Sequence, residues 1–157
     1  MSAKPSTQQG YYFEDFETGM QVVTSGRTVT ESDVVSFAGL SGDYNQIHIE
    51  AQYSQEGPFA QRVAHGLLGL SIASGLVQQT GIMEGTVMAF REVNRWKFIK
   101  PLFIGDTIHV IVIVRETKAL PRVGGGSVMI ELDVHNQEDE TVMKGTWTAL
   151  FASRAAK

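Results

Sequence analysis

The sequence predicts an α+β fold in which one antiparallel β-sheet wraps around a long central α-helix. Three observations carry that prediction. Residues 64–79, AHGLLGLSIASGLVQQ, keep a helical apolar pattern without a single Asp, Glu, Lys or Arg, and a helix with no charged face is expected to be buried all round. The chain after it reads as four long strand-forming segments joined by short turns. A length of 157 residues suffices for one domain with a full hydrophobic core and leaves little room for a second.

Each element has its own signals. Residues 1–10, MSAKPSTQQG, are polar with no apolar stretch, so they are expected to be a flexible tail and not a signal peptide, ahead of a single domain over 11–157. An aromatic segment at 11–16 leads into a first strand at 20–28. Thr30 has the character of a helix N-cap, with Glu31 and Asp33 where negative charge suits the helix dipole. That helix should run to about Ala38, with Val34, Phe37 and Ala38 on one face, and be broken by Gly39 and Gly42. Residues 45–50 read as irregular, 50–53 as one short helical turn, and Gly57-Pro58 as a loop.

In the apolar helix at 64–79, Gly66, Gly69 and Gly75 lower intrinsic stability but let other backbone approach, and Gly81 is the expected stop. Strands follow at 86–100, 107–117, 127–136 and 141–152. The centre of the second, HVIVIV, is apolar on both faces of the pleat, which calls for cover on both sides; the helix supplies one cover, and dimerisation or higher assembly is expected to supply the other. The third strand alternates, with Val128, Ile130, Leu132 and Val134 facing one way and Met129, Glu131, Asp133 and His135 the other. Gly124-Gly125-Gly126 lacks the Lys-Ser/Thr and the following helix of a phosphate loop, so it reads as a flexible strand connection.

Composition narrows the function. The chain is 43% hydrophobic and 19% charged, as a globular domain is. A net charge of −4 argues against a nucleic-acid partner and leaves a small anionic ligand open. The longest strongly apolar run, 110–114, is far too short to span a bilayer, so no membrane partner is expected. With no cysteine there is no disulfide, thiolate metal site or thiol nucleophile, which fits a cytoplasmic location. The four histidines lack metal-ligand spacing, so no metal is expected, and His109 and His135 carry no partner signature.

The chemistry gathers between residues 41 and 76. Asp43 stands five residues before His48 with no helical apolar period between them. A carboxylate and an imidazole on one short loop form a candidate acid–base pair. The helix that opens at His65-Gly66 offers unpaired backbone N–H groups able to hold a developing oxyanion. Acid, base and oxyanion donors are the parts needed to add water across an activated double bond.

The segments Gly42-Asp43-Tyr44-Asn45-Gln46-Ile47-His48, Ala64-His65-Gly66, Trp96-Lys97-Phe98-Ile99-Lys100-Pro101 and Gly105-Asp106 resemble the pattern of the MaoC-like hotdog dehydratases, the group that includes (R)-specific enoyl-CoA hydratases. The resemblance runs from about Tyr12 to Phe151. Gln46 stands where proline is usual, which removes a rigid φ but no chemical group.

The resemblance implies the hotdog fold, at least a homodimer, and hydration of a trans-2-enoyl-CoA to an (R)-3-hydroxyacyl-CoA, with the coenzyme A thioester as substrate and no cofactor. It carries the dyad onto Asp43 and His48, the thioester-polarising N–H onto Gly66 and a pocket-lining serine onto Ser74. Asn45 either bonds the loop backbone or orients the dyad. His65 reads as a capping or packing residue outside the chemistry, and Arg91, Arg95, Lys97 and Lys100 as either phosphate contacts or a solvated strand face. Two other functions compete. A hotdog thioesterase commonly places a carboxylate on the central helix, which 64–79 lacks. A non-catalytic acyl-CoA-binding subunit would not need Asp43 and His48 together. The acyl group is expected to be short and straight, with branched and dicarboxylic chains open.

Overall fold

The computed structural model describes residues 10–154. Residues 1–9 of the expected tail lie outside them, and its last residue, Gly10, is built into the fold: it is buried, and its N–H donates to Glu84 O at 2.7 Å. The elements in chain order are β1 (Gln21–Val23), β2 (Arg27–Thr28), α1 (Glu31–Ser41), α2 (Gln46–Ile49), α3 (Ala51–Gln55), α4 (Gly66–Gln79), β3 (Val87–Phe98), β4 (Thr107–Leu120), β5 (Gly125–His135) and β6 (Thr141–Ala152). The strands form one antiparallel sheet in the order β1-β4-β5-β6-β3, with β2 also paired to β4. Alternate residues of the central strands point to one side. Ile108, Val110, Val112 and Val114 of β4 and Val128, Ile130, Leu132 and Val134 of β5 are all buried. Against them lie Leu68, Ile72, Ala73, Leu76 and Val77 of α4 in one continuous core. Each valine, leucine or isoleucine among them contributes about 1.5–3 kcal/mol on burial.

The fold departs from sequence expectation where side chains outbid the backbone pattern. The first strand is split because the Thr24 side chain takes over a rung of the ladder: its Oγ accepts from Val110 N–H at 2.9 Å and donates to Ser25 O at 2.8 Å. Helix α1 passes through Gly39 and stops at Gly42, since only Gly42 adopts the left-handed conformation, φ 78°, that ends a helix. Residues 46–49, expected to be irregular, form a helical turn because Asn45 Oδ1 caps it at the Ile47 N–H. The triple glycine is not a flexible link. Gly125 and Gly126 are buried in β5, where a Cβ would lie 2.0 Å from Phe151 O and 2.3 Å from the Phe13 ring, respectively.

Two surfaces are less covered than expected. Helix α4 is not buried all round: Leu67, Ser71, Ser74, Gly75 and Gln78 form an exposed face. The outward face of β4, with Ile111 and Ile113, is half-buried. Its neighbours are charged: Arg115 pairs with Glu131, and Lys144 bridges Glu131 and Asp133. The Arg115 hydrogen bond, opposed by partial burial and aided by Lys144, holds the Glu131 carboxyl below the usual carboxylate range. Within the single chain these ion pairs border the half-buried isoleucines. The free edge strand β3 also leaves apolar groups uncovered: Val87, Met88, Phe90, Val93 and Phe98 are exposed.

His109 and His135 face each other as register partners on β4 and β5. His135 holds Asp139 through Nδ1 at 2.7 Å and Asp133 through Nε2 at 3.1 Å. Burial works against its charged form, but the bonds to Asp139 and Asp133 prevail and raise its pKa above 6.5. A raised folded-state pKa stabilises the fold fully below the unfolded value of 6.5 and loses that effect as pH rises through the folded value. The melting-temperature difference between the wild type and His135→Gln is therefore expected to be largest below that pH and to shrink above it. A difference that grew with pH would contradict this.

Candidate active site

The site is assembled at the N-terminal end of α4 from segments far apart in sequence. Gly42 turns the chain out of α1 and presents Asp43, whose Oδ1 accepts the Asn45 N–H at 3.2 Å. Asn45 caps α2, and α2 carries His48 inward. The strand-like residues before α4 are tied on both sides: Val63 N–H donates to Ile47 O at 3.1 Å and Ala64 N–H to Leu102 O at 2.7 Å.

These ties fix the chemistry of His48. Its Nδ1 lies 2.7 Å from Val63 O. A carbonyl only accepts, so Nδ1 carries the hydrogen and Nε2 of the neutral ring offers a lone pair. Nε2 faces Asp43 Oδ2 at 3.9 Å. That is too long for a direct hydrogen bond and short enough for one water to touch both groups. The His48 side chain is 9% exposed and that of Asp43 is 50% exposed, so the pair spans the boundary between interior and solvent.

Gly66 is the first residue of α4, and its N–H finds no acceptor among the described residues, as the first turn of a helix requires. Phe98 lies against it: a Cβ on Gly66 would sit 2.8 Å from that ring. Beside His48 and Gly66 opens a cavity of about 520 Å³, lined mainly by apolar side chains that include Ile47, Phe59, Val63 and Phe98. Lys100 stands in its lining and pairs with Glu140; Arg91, Arg95 and Lys97 stay on β3, exposed, away from the cavity.

Of the residues singled out from sequence, His48 and Gly66 line the cavity together, and Asp43 faces His48 from outside that lining. Asn45 holds the loop backbone as the cap of α2 and does not line the cavity. Ser74 is placed elsewhere: it sits on the exposed face of α4, eight residues and roughly 12 Å beyond Gly66, outside the cavity lining. His65, read from sequence as a capping or packing residue, packs and makes no capping bond, but the contacts it makes were not foreseen. Its ring is 2% exposed, stacks on His48 with centroids 3.8 Å apart and planes 26° apart, and places Nε2 2.9 Å from Asp43 O. Its place beside Gly66 in Ala64-His65-Gly66 was the available signal. Asp43, His48 and His65 each bring one potential ligand atom within 4.8 Å of the others, and each histidine bonds a backbone carbonyl with one nitrogen and keeps the second.

Residues 15–135 match the MaoC like domain family. The chain belongs to the MaoC-like dehydratase family. It is 36% identical to a Rhodospirillum rubrum protein named (R)-specific enoyl-CoA hydratase, over 66% of this chain and 69% of that one. To Protein MaoC of Klebsiella aerogenes it is 39% identical over 63% of its length, and the match spans 29% of that longer protein. Among solved structures, a monoamine oxidase regulatory protein from Archaeoglobus fulgidus superposes with a TM-score of 0.87 at 33% identity, covering 94% of this chain and 97% of the other. A conserved hypothetical protein of Mycobacterium tuberculosis with a double hotdog fold superposes with a TM-score of 0.80 at 19% identity, covering 92% of this chain and 44% of the other; that likeness speaks to fold alone. This MaoC-like chain has the hotdog architecture, a six-stranded antiparallel sheet with a helix packed against it. Among the described residues no helix is long and apolar enough to cross a membrane.

Proposed function

We propose that this MaoC-like protein hydrates a trans-2-enoyl-CoA to the (R)-3-hydroxyacyl-CoA, and catalyses the reverse dehydration, with Asp43 and His48 as its catalytic pair. One observation carries the reading: a carboxylate oxygen and an imidazole nitrogen of fixed tautomer face each other 3.9 Å apart, next to the free N–H at the start of an apolar helix. The coenzyme A thioester is the substrate, and the chemistry calls for no cofactor.

A water between the pair gives its two hydrogens to two acceptors, Asp43 Oδ2 and His48 Nε2, and keeps an oxygen lone pair for C3 of the enoyl chain. As the oxygen–C3 bond forms, the electrons of the double bond move toward the thioester carbonyl. Gly66 N–H, at the positive end of α4, bonds that oxygen and stabilises the enolate-like charge. One water proton passes to the pair and one proton passes from the pair to C2, so the net change is addition of H and OH. Because Val63 O keeps the ring hydrogen on Nδ1, His48 delivers a proton from Nε2 only after taking one there. Both groups lie on one side of the substrate, which makes the addition syn.

The test is a panel of enoyl-CoA thioesters followed by loss of the conjugated double-bond absorbance, with the product offered to an (S)-specific 3-hydroxyacyl-CoA dehydrogenase. Hydration without NADH formation is expected, with short straight acyl chains turned over best. Rapid NADH formation would overturn the (R) assignment. The protein is further proposed to work in the cytoplasm as a homodimer or higher homo-oligomer. The free apolar edge of β3 and the bare face of α4 are surfaces that an isolated monomer exposes at risk of aggregation. Light scattering at micromolar concentration is expected to give at least twice the chain mass; an active monomer would contradict it.

A further inference from the structure

We infer that His65 is a positioning residue that holds both members of the catalytic pair in place, one by its N–H and the other by its ring face; the inference rests on the hydratase reading given above. His65 ends the segment that leads into α4, 22 residues after Asp43 and 17 after His48 in the chain. It nevertheless touches both. Its Nε2 is 2.9 Å from Asp43 O, so Nε2 carries the hydrogen and donates it to that carbonyl. Its ring lies on the His48 ring, centroids 3.8 Å apart and nearly parallel, and Phe37 closes on it at 4.9 Å.

The simpler roles do not account for this side chain. His65 is the N-cap residue of α4, yet its side chain makes no capping hydrogen bond. If packing between Phe37 and His48 were its whole work, a phenyl ring would serve better, because His65 Nδ1 is buried without a hydrogen-bond partner among the described residues. A buried polar nitrogen left alone opposes folding. What the imidazole does that a phenyl ring cannot is hold the Asp43 backbone.

Asp43 needs that hold. Its carboxylate is half exposed, and within the described residues it is anchored only through Oδ1 to the Asn45 N–H, on the same loop. The bond from His65 ties that loop to the rigid start of α4. His48 is clamped at its edge by Val63 O and on its face by the His65 ring. The 3.9 Å separation that a water must bridge is therefore set from a third residue that does not touch the substrate. Misplacement of a catalytic group by about 1 Å can cost on the order of 10²-fold in rate.

The experiment is a double-mutant cycle on the full chain, with kcat and KM for hydration and the melting temperature measured for each variant. His65→Phe keeps a ring on His48 and removes the donor to Asp43; it is expected to lower kcat by about 10- to 100-fold with KM within about threefold. His65→Gln, which retains a donor, is expected to recover part of the loss. Because His65 acts on Asp43 through its position, adding His65→Phe to Asp43→Asn should change the residual rate by less than about twofold. Wild-type kcat in a folded His65→Phe variant, or a full multiplicative loss on top of Asp43→Asn, would overturn the inference. A readout on the wild-type protein covers the case in which the variants fail to fold: nitrogen-15 NMR of the imidazoles should show His65 with its hydrogen on Nε2 and His48 with its hydrogen on Nδ1, and the opposite tautomer of His65 would overturn it. A wild type that hydrates no thioester in the panel removes the hydratase reading and leaves the tautomer of His65 to decide whether it holds the loop. An active wild type with indifferent variants removes the positioning role alone.

Discussion

Asp43→Asn lowers kcat for enoyl-CoA hydration by at least about 10²-fold while the protein stays folded. The side chain is half exposed, so the substitution opens no cavity and strands no buried charge. The amide oxygen can still accept the Asn45 N–H that Oδ1 accepts now. What is lost is the negative oxygen facing His48 Nε2 and with it one of the two acceptors that orient the water. The change should appear in kcat, measured by double-bond absorbance, with the melting temperature held within a few degrees. Near-wild-type kcat in a folded variant would remove Asp43 from the chemistry.

Phe151→Ala costs about 3–5 kcal/mol of stability. Phe151 is 1% exposed near the end of β6, and its ring meets that of Phe16 at 4.5 Å. The neighbouring backbone is closely fitted, since Phe151 O leaves no room for a Cβ at Gly125. Strands so tightly joined cannot collapse into the vacated space, which places the cost at the upper end for an aromatic deletion. Against a total of about 5–15 kcal/mol for a typical domain, this takes a large fraction of the stability. Urea unfolding checks it; a loss under about 1 kcal/mol would show that the sheet end repacks freely.

The fold class and the order of the long elements were legible because they rest on periodicity. The uncharged helix at 64–79 and the alternation in 127–136 appear as α4 and β5 with small shifts at their ends. What was not legible came from contacts between distant residues. Thr24 splits the first strand only because Val110 lies opposite, and no local pattern announces a hydroxyl in a ladder. The charges that border the outward face of β4 sit on β4 itself, β5 and β6, and HVIVIV alone does not show them. In the site, Asp43 and His48 stand five residues apart in the chain and were readable as a pair. The contacts of His65 were not, since its ring stack and its one bond to a carbonyl reach across the chain, the latter over 22 residues. Ser74 lies on the exposed face of α4 that also carries Leu67, and it stays outside the cavity beside His48 because eight residues of helix carry it roughly 12 Å along the axis from Gly66.

Gly66 can polarise a thioester carbonyl whether water attacks the chain or the carbonyl itself, so the oxyanion donor does not separate hydration from hydrolysis. The position of the activated water does. Helix α4 carries no carboxylate to aim water at the carbonyl carbon, whereas in the proposed reaction Asp43 and His48 hold the water for C3, which a saturated chain cannot use. The most direct measurement is therefore a paired assay on one enzyme preparation: a saturated acyl-CoA monitored for free thiol and the matching 2-enoyl-CoA monitored for loss of the double bond. The enoyl substrate should lose its absorbance while the saturated one releases almost no thiol. Fast thiol release from the saturated substrate with no enoyl hydration would contradict the account and make the protein a thioesterase.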